Sequence, residues 1–277
     1  MLSKAELQRL ANREKVALGI LEKDYIVTEV LKALSQVPEF GETLVFKGGT
    51  ALRKVYFSNW RYSEDLDFTV KHDMAKEELR QSLEAWYSRV EQKSQIRLTT
   101  KMLHKADGYA RVRTQFLGPL AHPGMIYMDL SFDEPVCLDP EHRDVLTAPF
   151  PNEQQRILVY PLEELLAEKI RSLLERGKSR DYYDVWRLLQ EHSSRLNLSL
   201  LGTVLSKKLK HKGLCPSTMS DFLPKNSMGL KRYWERDMEQ QVDPLTALER
   251  VLQELQEMLD KLIAPHLPLD CGKSNRS

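Results

Sequence analysis

The stretch Phe46 to Phe68, FKGGTALRKVYFSNWRYSEDLDF, decides the reading of the chain. Leu44, Val45 and Phe46 make a short apolar run that ends at Lys47, as a buried strand does before a turn. Gly48 and Gly49 let the backbone turn sharply and come close to a ligand. Thr50 is expected to cap a helix with its hydroxyl, leaving the N–H groups of Ala51 to Arg53 as an anion site for which phosphate is the expected guest. Arg53 and Lys54 add positive charge nearby. The helix gives way at Arg61 to Ser63 to a second strand, Asp65 to Val70, whose alternation puts Asp65 and Asp67 on one face. Carboxylates that close repel one another unless a cation lies between them.

A phosphate cradle joined through one helix to an Asp-x-Asp strand is what metal-dependent phosphoryl or nucleotidyl transfer requires, with Mg²⁺ (or Mn²⁺) as the cofactor and an NTP as substrate. No Gly-Lys-Ser/Thr follows four residues after a first glycine, so the segment is not a P-loop. Gly-Gly is common in turns and Asp-x-Asp in loops. Their union through strand, helix and strand carries the chemical reading.

With 277 residues, 42% of them hydrophobic and 29% charged, the chain can build one large core or two modest ones. Lys4, Glu6, Arg9, Arg13, Glu14 and Lys15 charge the N-terminus, which therefore reads as neither signal peptide nor membrane span and makes the cytoplasm the expected location. Cys137, Cys215 and Cys271 are isolated and odd in number, so reduced thiols are expected rather than a disulfide framework or a thiolate metal site. A net charge of +1 excludes a globally basic nucleic-acid binder but leaves room for local basic patches.

In chain order, Ser3-Lys-Ala-Glu6 is a capping box opening a helix to about Ala17, before Gly19. Leu21 to Leu34 forms a second, with Ile26, Val27, Val30, Leu31 and Leu34 inward and Glu22 and Asp24 solvated. Asp73 is expected to cap a helix reaching Val90. Ile96 to Leu103, Ala110 to Phe116 and Met125 to Phe132 read as strands completing a mixed sheet. Asp129 emerges mid-strand on the polar face of the last, where aspartate is disfavoured, and is read as third metal ligand and general base. Asp139 to Gln155 reads as a loop between lobes, followed by the extended segment Ile157 to Tyr160.

From Pro161 onward the pattern is helical. Lys169 falls within the apolar stripe Leu162, Leu165, Leu166, Ile170, Leu173 and Leu174, where an ammonium needs an anion: a triphosphate, or alternatively Glu164 or an aspartate. In Ser179-Arg-Asp-Tyr-Tyr-Asp184, Asp181 and Asp184 share a face, either balancing the helix dipole or orienting Lys169, Arg171 or a metal-bound water. Lys207, Lys208, Lys210 and Lys212 form the most basic patch, either a polyanion contact or a solvated helix end. Two more helices, Ser227 to Gln241 and Pro244 to Ile263, precede a C-terminal tail. The fold class expected is α+β: a mixed-sheet core with N-terminal helices over 1–155, then a helical lobe over 156–277 completing the NTP and acceptor cleft.

The Gly-Gly turn followed by Asp-x-Asp resembles the nucleotidyltransferase superfamily of DNA polymerase β. Phe46-Lys-Gly-Gly-Thr-Ala-Leu52, Tyr62-Ser-Glu-Asp-Leu-Asp-Phe68, Leu166-Ala-Glu-Lys-Ile-Arg171 and Arg180-Asp-Tyr-Tyr-Asp184 together are similar to the AbiEii/AbiGii and MenT family of nucleotidyltransferase toxins, and Leu21-Glu-Lys-Asp-Tyr-Ile26 resembles that family's N-terminal helix. The resemblance spans roughly residues 20 to 190. It implies that Thr50 and Lys169 hold the triphosphate, that Asp65 and Asp67 bind the metal, and that Asp181 or Asp184 supports the lysine; Gly48, Gly49, Arg171 and Asp181 are counted with the nucleotide-binding residues and Asp129 with the metal ligands. It implies further a toxin–antitoxin or abortive-infection role, a cognate antitoxin and a tRNA-like RNA acceptor. Thr50 stands where many superfamily relatives have serine, which keeps the hydroxyl. A protein acceptor, as in AMPylator-like nucleotidylyltransferases, and a non-catalytic nucleotide-binding partner protein are the alternatives.

Overall fold

The computed structural model describes residues 1–151, 154–239, 241–242 and 244–267. The chain divides into two compact units, Met1–Tyr160 and Pro161–Ser277. In the first, helices α1 (Lys4–Glu14), α2 (Leu18–Leu34) and α3 (Pro38–Gly41) lead to strand β1 (Leu44–Lys47). Helix α4 (Gly48–Ala51) then runs into a π-helical turn, Leu52–Tyr56, before β2 (Leu66–Val70), α5 (Lys76–Ser94), β3 (Arg97–Ala106), β4 (Tyr109–Leu117), β5 (Pro123–Ser131), β6 (Glu141–Asp144) and β7 (Arg156–Val159). The seven strands form one mixed sheet in the order β3-β4-β5-β2-β1-β7-β6. Parallel pairs β2/β5 and β1/β7 join the antiparallel ones, so the α+β expectation describes the molecule.

The capping box at Ser3 forms, but Lys15 in the left-handed conformation ends α1, and Gly19 lies inside the first turn of α2. Helix α2 is buried on nearly every side, which is why its acids are not solvated as expected. Glu22 accepts the Leu120 N–H at 2.8 Å, and burial pushes its carboxyl up. The apolar face of α5 (Leu79, Leu83, Trp86, Tyr87, Val90) is buried as its spacing predicts. Ala75, not Asp73, stands at its N-cap; Asp73 accepts instead from the Met74 N–H and from Lys105.

Along β4 and β5 the alternation is clean: Ala110, Val112, Thr114 and Phe116, and Ile126, Met128 and Leu130, are buried, while the residues between them face outward. The expected interlobe loop, Asp139 to Gln155, contains β6, which pairs antiparallel with β7. Because β7 also pairs with β1, the division falls after Tyr160 rather than near Gln155.

The second unit is helical: α6 (Leu162–Glu175), α7 (Ser179–His192), α8 (Leu198–His211), α9 (Ser227–Met238) and α10 (Leu248–Met258). Helix α6 packs against α7 and α8, and α7 against α9 and α10. Lys208 does not belong to a basic patch. It is fully buried, with Nζ 2.8 Å from Glu164 and 3.1 Å from Glu168. At helical period it shares the inward face with Leu201, Val204 and Leu205, whereas Lys207, Lys210 and Lys212 are exposed. Cys215 is disulfide-bonded, against the expectation of a reduced thiol. Cys137 is free, and Cys271 and the tail from residue 268 lie outside the described residues. No described helix is long and apolar enough to cross a membrane.

Candidate active site

Strand β1 ends on Lys47 in extended conformation, and Gly48 turns the chain at φ +80, a region side chains disfavour. A Cβ on Gly48 would lie 2.2 Å from Asp67 Oδ2, so the carboxylate rests directly on the glycine backbone. A Cβ on Gly49 would lie 2.8 Å from the Arg61 guanidinium and 3.3 Å from Ser63 Oγ. Gly48 is thus required by both its backbone conformation and the close approach of Asp67, whereas at Gly49 only the flexible end of Arg61 would have to give way.

Thr50 is fully buried and does not cap α4. Its hydroxyl pairs with that of Ser63 at 2.9 Å and donates to the Asp65 carbonyl at 2.5 Å. The residue therefore fastens the glycine turn to the backbone that carries Asp65.

Arg53 and Lys54 also differ from expectation, for the turn Leu52–Tyr56 directs both into the core. Arg53 Nε donates to Asp24 Oδ1 at 3.0 Å and Lys54 Nζ to Oδ2 at 2.8 Å. The Arg53 guanidinium lies 3.7 Å from the centroid of the Tyr62 ring and donates to the Trp60 carbonyl. Burial pulls the Lys54 ammonium below its ordinary value although Asp24 opposes this. Asp24 of α2 thus pins the far end of the turn whose near end carries the glycines. Sequence periodicity missed it because only apolar positions enter such a pattern; the signal was the resemblance of Leu21 to Ile26.

Asp65 stands just before β2 and Asp67 within it. Asp67 lies in register with Lys47 on β1 and with Asp129 on β5, and Asp129 in register with Arg111 on β4. One row across the sheet therefore reads Lys47, Asp67, Asp129, Arg111. Asp129 is held in a bidentate fork, Arg111 Nε and Nη2 each 2.8 Å from its oxygens, and accepts from the Tyr109 hydroxyl at 2.5 Å. The hydrogen bond to Asp129, aided by the charges of Asp129, Tyr109 and Asp65, raises the Arg111 guanidinium further above its ordinary value. Burial first, then Asp129 and Asp67, raises the Tyr109 hydroxyl. All three predicted acids thus act on one neighbourhood. Arg111 and Tyr109 were not foreseen, because the register of β4 on β5 decides both: it sets Arg111 opposite Asp129 and Tyr109 opposite Ser131, one step along the same face.

Asp65 and Asp67 fit a hard divalent cation: both offer carboxylate oxygens, and the glycine turn leaves Asp67 a seat that any side chain would fill. Asp129 is engaged by Arg111, and among the described residues no group of three His, Cys, Asp or Glu side chains is assembled as a metal cage.

In the second unit Lys169 is buried, with Nζ 2.8 Å from Asp184 and 3.5 Å from Asp181. Arg176 forks Asp181 at 2.8 and 2.9 Å. Burial pushes the Asp181 carboxyl up, but the charge of Lys169 and the hydrogen bond from Arg176 outweigh it and hold it below its ordinary value. Lys169, Asp181 and Asp184 are brought together as expected, while Arg171 pairs with Glu175 at 3.1 Å.

Comparison with protein families matches residues 29–262 to the family described as nucleotidyl transferase AbiEii toxin, type IV TA system. The chain belongs to the AbiEii nucleotidyltransferase toxin family. Among solved structures it is similar to MenT4, a nucleotidyltransferase toxin of Mycobacterium tuberculosis H37Rv, with TM-score 0.73 and 22% identity over 96% of this chain and 92% of that one. Comparison with curated proteins finds no match. The AbiEii chain is accordingly a nucleotidyltransferase, and the glycine turn and acid pair take their meaning from that.

Proposed function

We propose that this AbiEii nucleotidyltransferase moves a nucleoside monophosphate from an NTP to a hydroxyl of an RNA acceptor of tRNA type. It would act in the cytoplasm as a toxin held in check by a cognate antitoxin. The observation that carries the reading is the seat of Asp67 on Gly48, which joins the phosphate turn to the Asp-x-Asp strand. Asp65 and Asp67 would hold Mg²⁺ or Mn²⁺, and when bound the cation would neutralise phosphate charge. Gly48, Gly49 and Thr50 shape the turn that receives the phosphates, and Lys169, ion-paired with Asp184 and Asp181, is assigned to the triphosphate. The acceptor oxygen bonds to the α-phosphorus as the bridging P–O bond breaks, and pyrophosphate leaves with the electron pair. The hydroxyl proton passes to Asp129, which Arg111 and Tyr109 orient. Incubating the protein with each labelled NTP, total RNA and total protein tests this: label in RNA with pyrophosphate release is expected, and label confined to protein would overturn the RNA acceptor.

A further inference from the structure

The outward face of β3, β4 and β5 is the least expected surface of the first unit. A sheet face so placed usually carries mixed small polar residues or packs under helices. Here the exposed residues of the three strands include Arg97, Lys101, His104, Arg111 and Arg113 against a single acid, Asp129, which Arg111 already forks; Lys105, in register with buried Ala110, pairs with Asp73 on the other face. In a chain whose net charge is +1, this is a local excess of positive charge. The register places Met102, Arg113 and Tyr127 side by side across the three strands, in the row next to that of Arg111 and Asp129. Met102 and Tyr127 are 41% and 40% exposed, large values for such side chains, and Arg97 and Arg113 are exposed as well.

An outward aromatic ring with an arginine beside it and a second arginine further along the same sheet face is how single-stranded nucleic acid is held: bases stack on the ring and guanidinium groups meet the phosphates. A protein partner would have to bring an acidic face to match the charge. Successive residues on one face of a strand lie roughly 7 Å apart, so Asp129 stands one step along β5 from Tyr127 on the same face. We infer that this face is the platform for the single-stranded end of the RNA acceptor, with Tyr127 as the stacking surface and Arg97 and Arg113 as phosphate contacts. The inference rests on the RNA reading proposed above, and it moves acceptor binding away from the lysines at the end of α8.

Fluorescence anisotropy with a fluorescein-labelled single-stranded oligoribonucleotide of about ten nucleotides tests it directly. Tyr127→Ala should weaken binding by roughly fivefold or more, the loss of one stacked base, and Tyr127→Phe should restore it. Arg113→Glu should weaken binding and lower the slope of log affinity against log salt by about 0.7 for the contact removed. Substituting Lys207, Lys210 and Lys212 together by glutamate should leave binding as in the wild type. Unchanged oligoribonucleotide affinity in Tyr127→Ala and Arg113→Glu would overturn the platform, as would loss of antitoxin capture with RNA binding intact. Transfer to total RNA by the wild type is scored separately. Its absence would sink the RNA reading itself, whereas undiminished transfer by both variants would leave that reading standing and remove only the platform.

Discussion

Asp24 carries two buried cations on one carboxylate, and the energetics of that arrangement are asymmetric. Replacing a whole buried ion cluster by apolar groups can be neutral, but removing one partner strands the others without compensation, at a cost of about 3–5 kcal/mol. Arg53 and Lys54 are 5% and 0% exposed, so water cannot take over from the lost carboxylate. Asp24→Asn should therefore lower stability by about that amount in a urea melt, and melting like the wild type would show that Asp24 does not hold the turn. The sequence showed the acid but not its depth, because depth depended on Arg53 and Lys54 turning inward, and that in turn on a π-helical turn no local propensity announces. Asp65, Asp67 and the two glycines were legible for the opposite reason. Their roles follow from backbone geometry that the residue types themselves require, whereas the partners of Asp129 depended on strand register.

At the scale of elements, α6 and α7 are joined by Lys169, Asp184, Asp181 and Arg176, and this pairing responds to acid in a definite direction. Asp181 has a depressed carboxyl pKa in the folded state, so it contributes stability that is fully present above its ordinary value of 3.8 and is lost as pH falls through the lower folded value. The wild type should lose melting temperature as pH drops below that ordinary value. Asp181→Asn should be less stable at neutral pH and show a shallower acid slope; equal slopes would exclude Asp181 as the titrating group. Both helices could be read from their apolar stripes, and the inward lysine from its place within one. Strand β6 could not be read, since Glu141-His-Arg-Asp144 is polar throughout and is extended only because β7 offers it an edge. The burial of Lys208 was hidden in the same way: a run of lysines looks solvated until helical phase assigns one of them to the inner face.

For the whole molecule, the first unit concentrates opposite charges in neighbouring rows of one sheet. The acids Asp65, Asp67 and Asp129 gather where β2 and β5 run side by side, and the arginines spread over β4 and β3. Such a surface suits a reaction between two polyanions, one bound through a cation at the acids and the other through guanidinium groups beside them. The central claim is that Asp67, seated on Gly48, belongs to the reacting centre rather than to the scaffold. Pyrophosphate release by Asp67→Asn, measured with NTP, Mg²⁺ and total RNA and accompanied by a thermal melt, tests it most directly. The expected result is turnover reduced to background in a protein that still melts cooperatively, since asparagine keeps the size and shape of the side chain seated on Gly48. Release at the wild-type rate would contradict the claim.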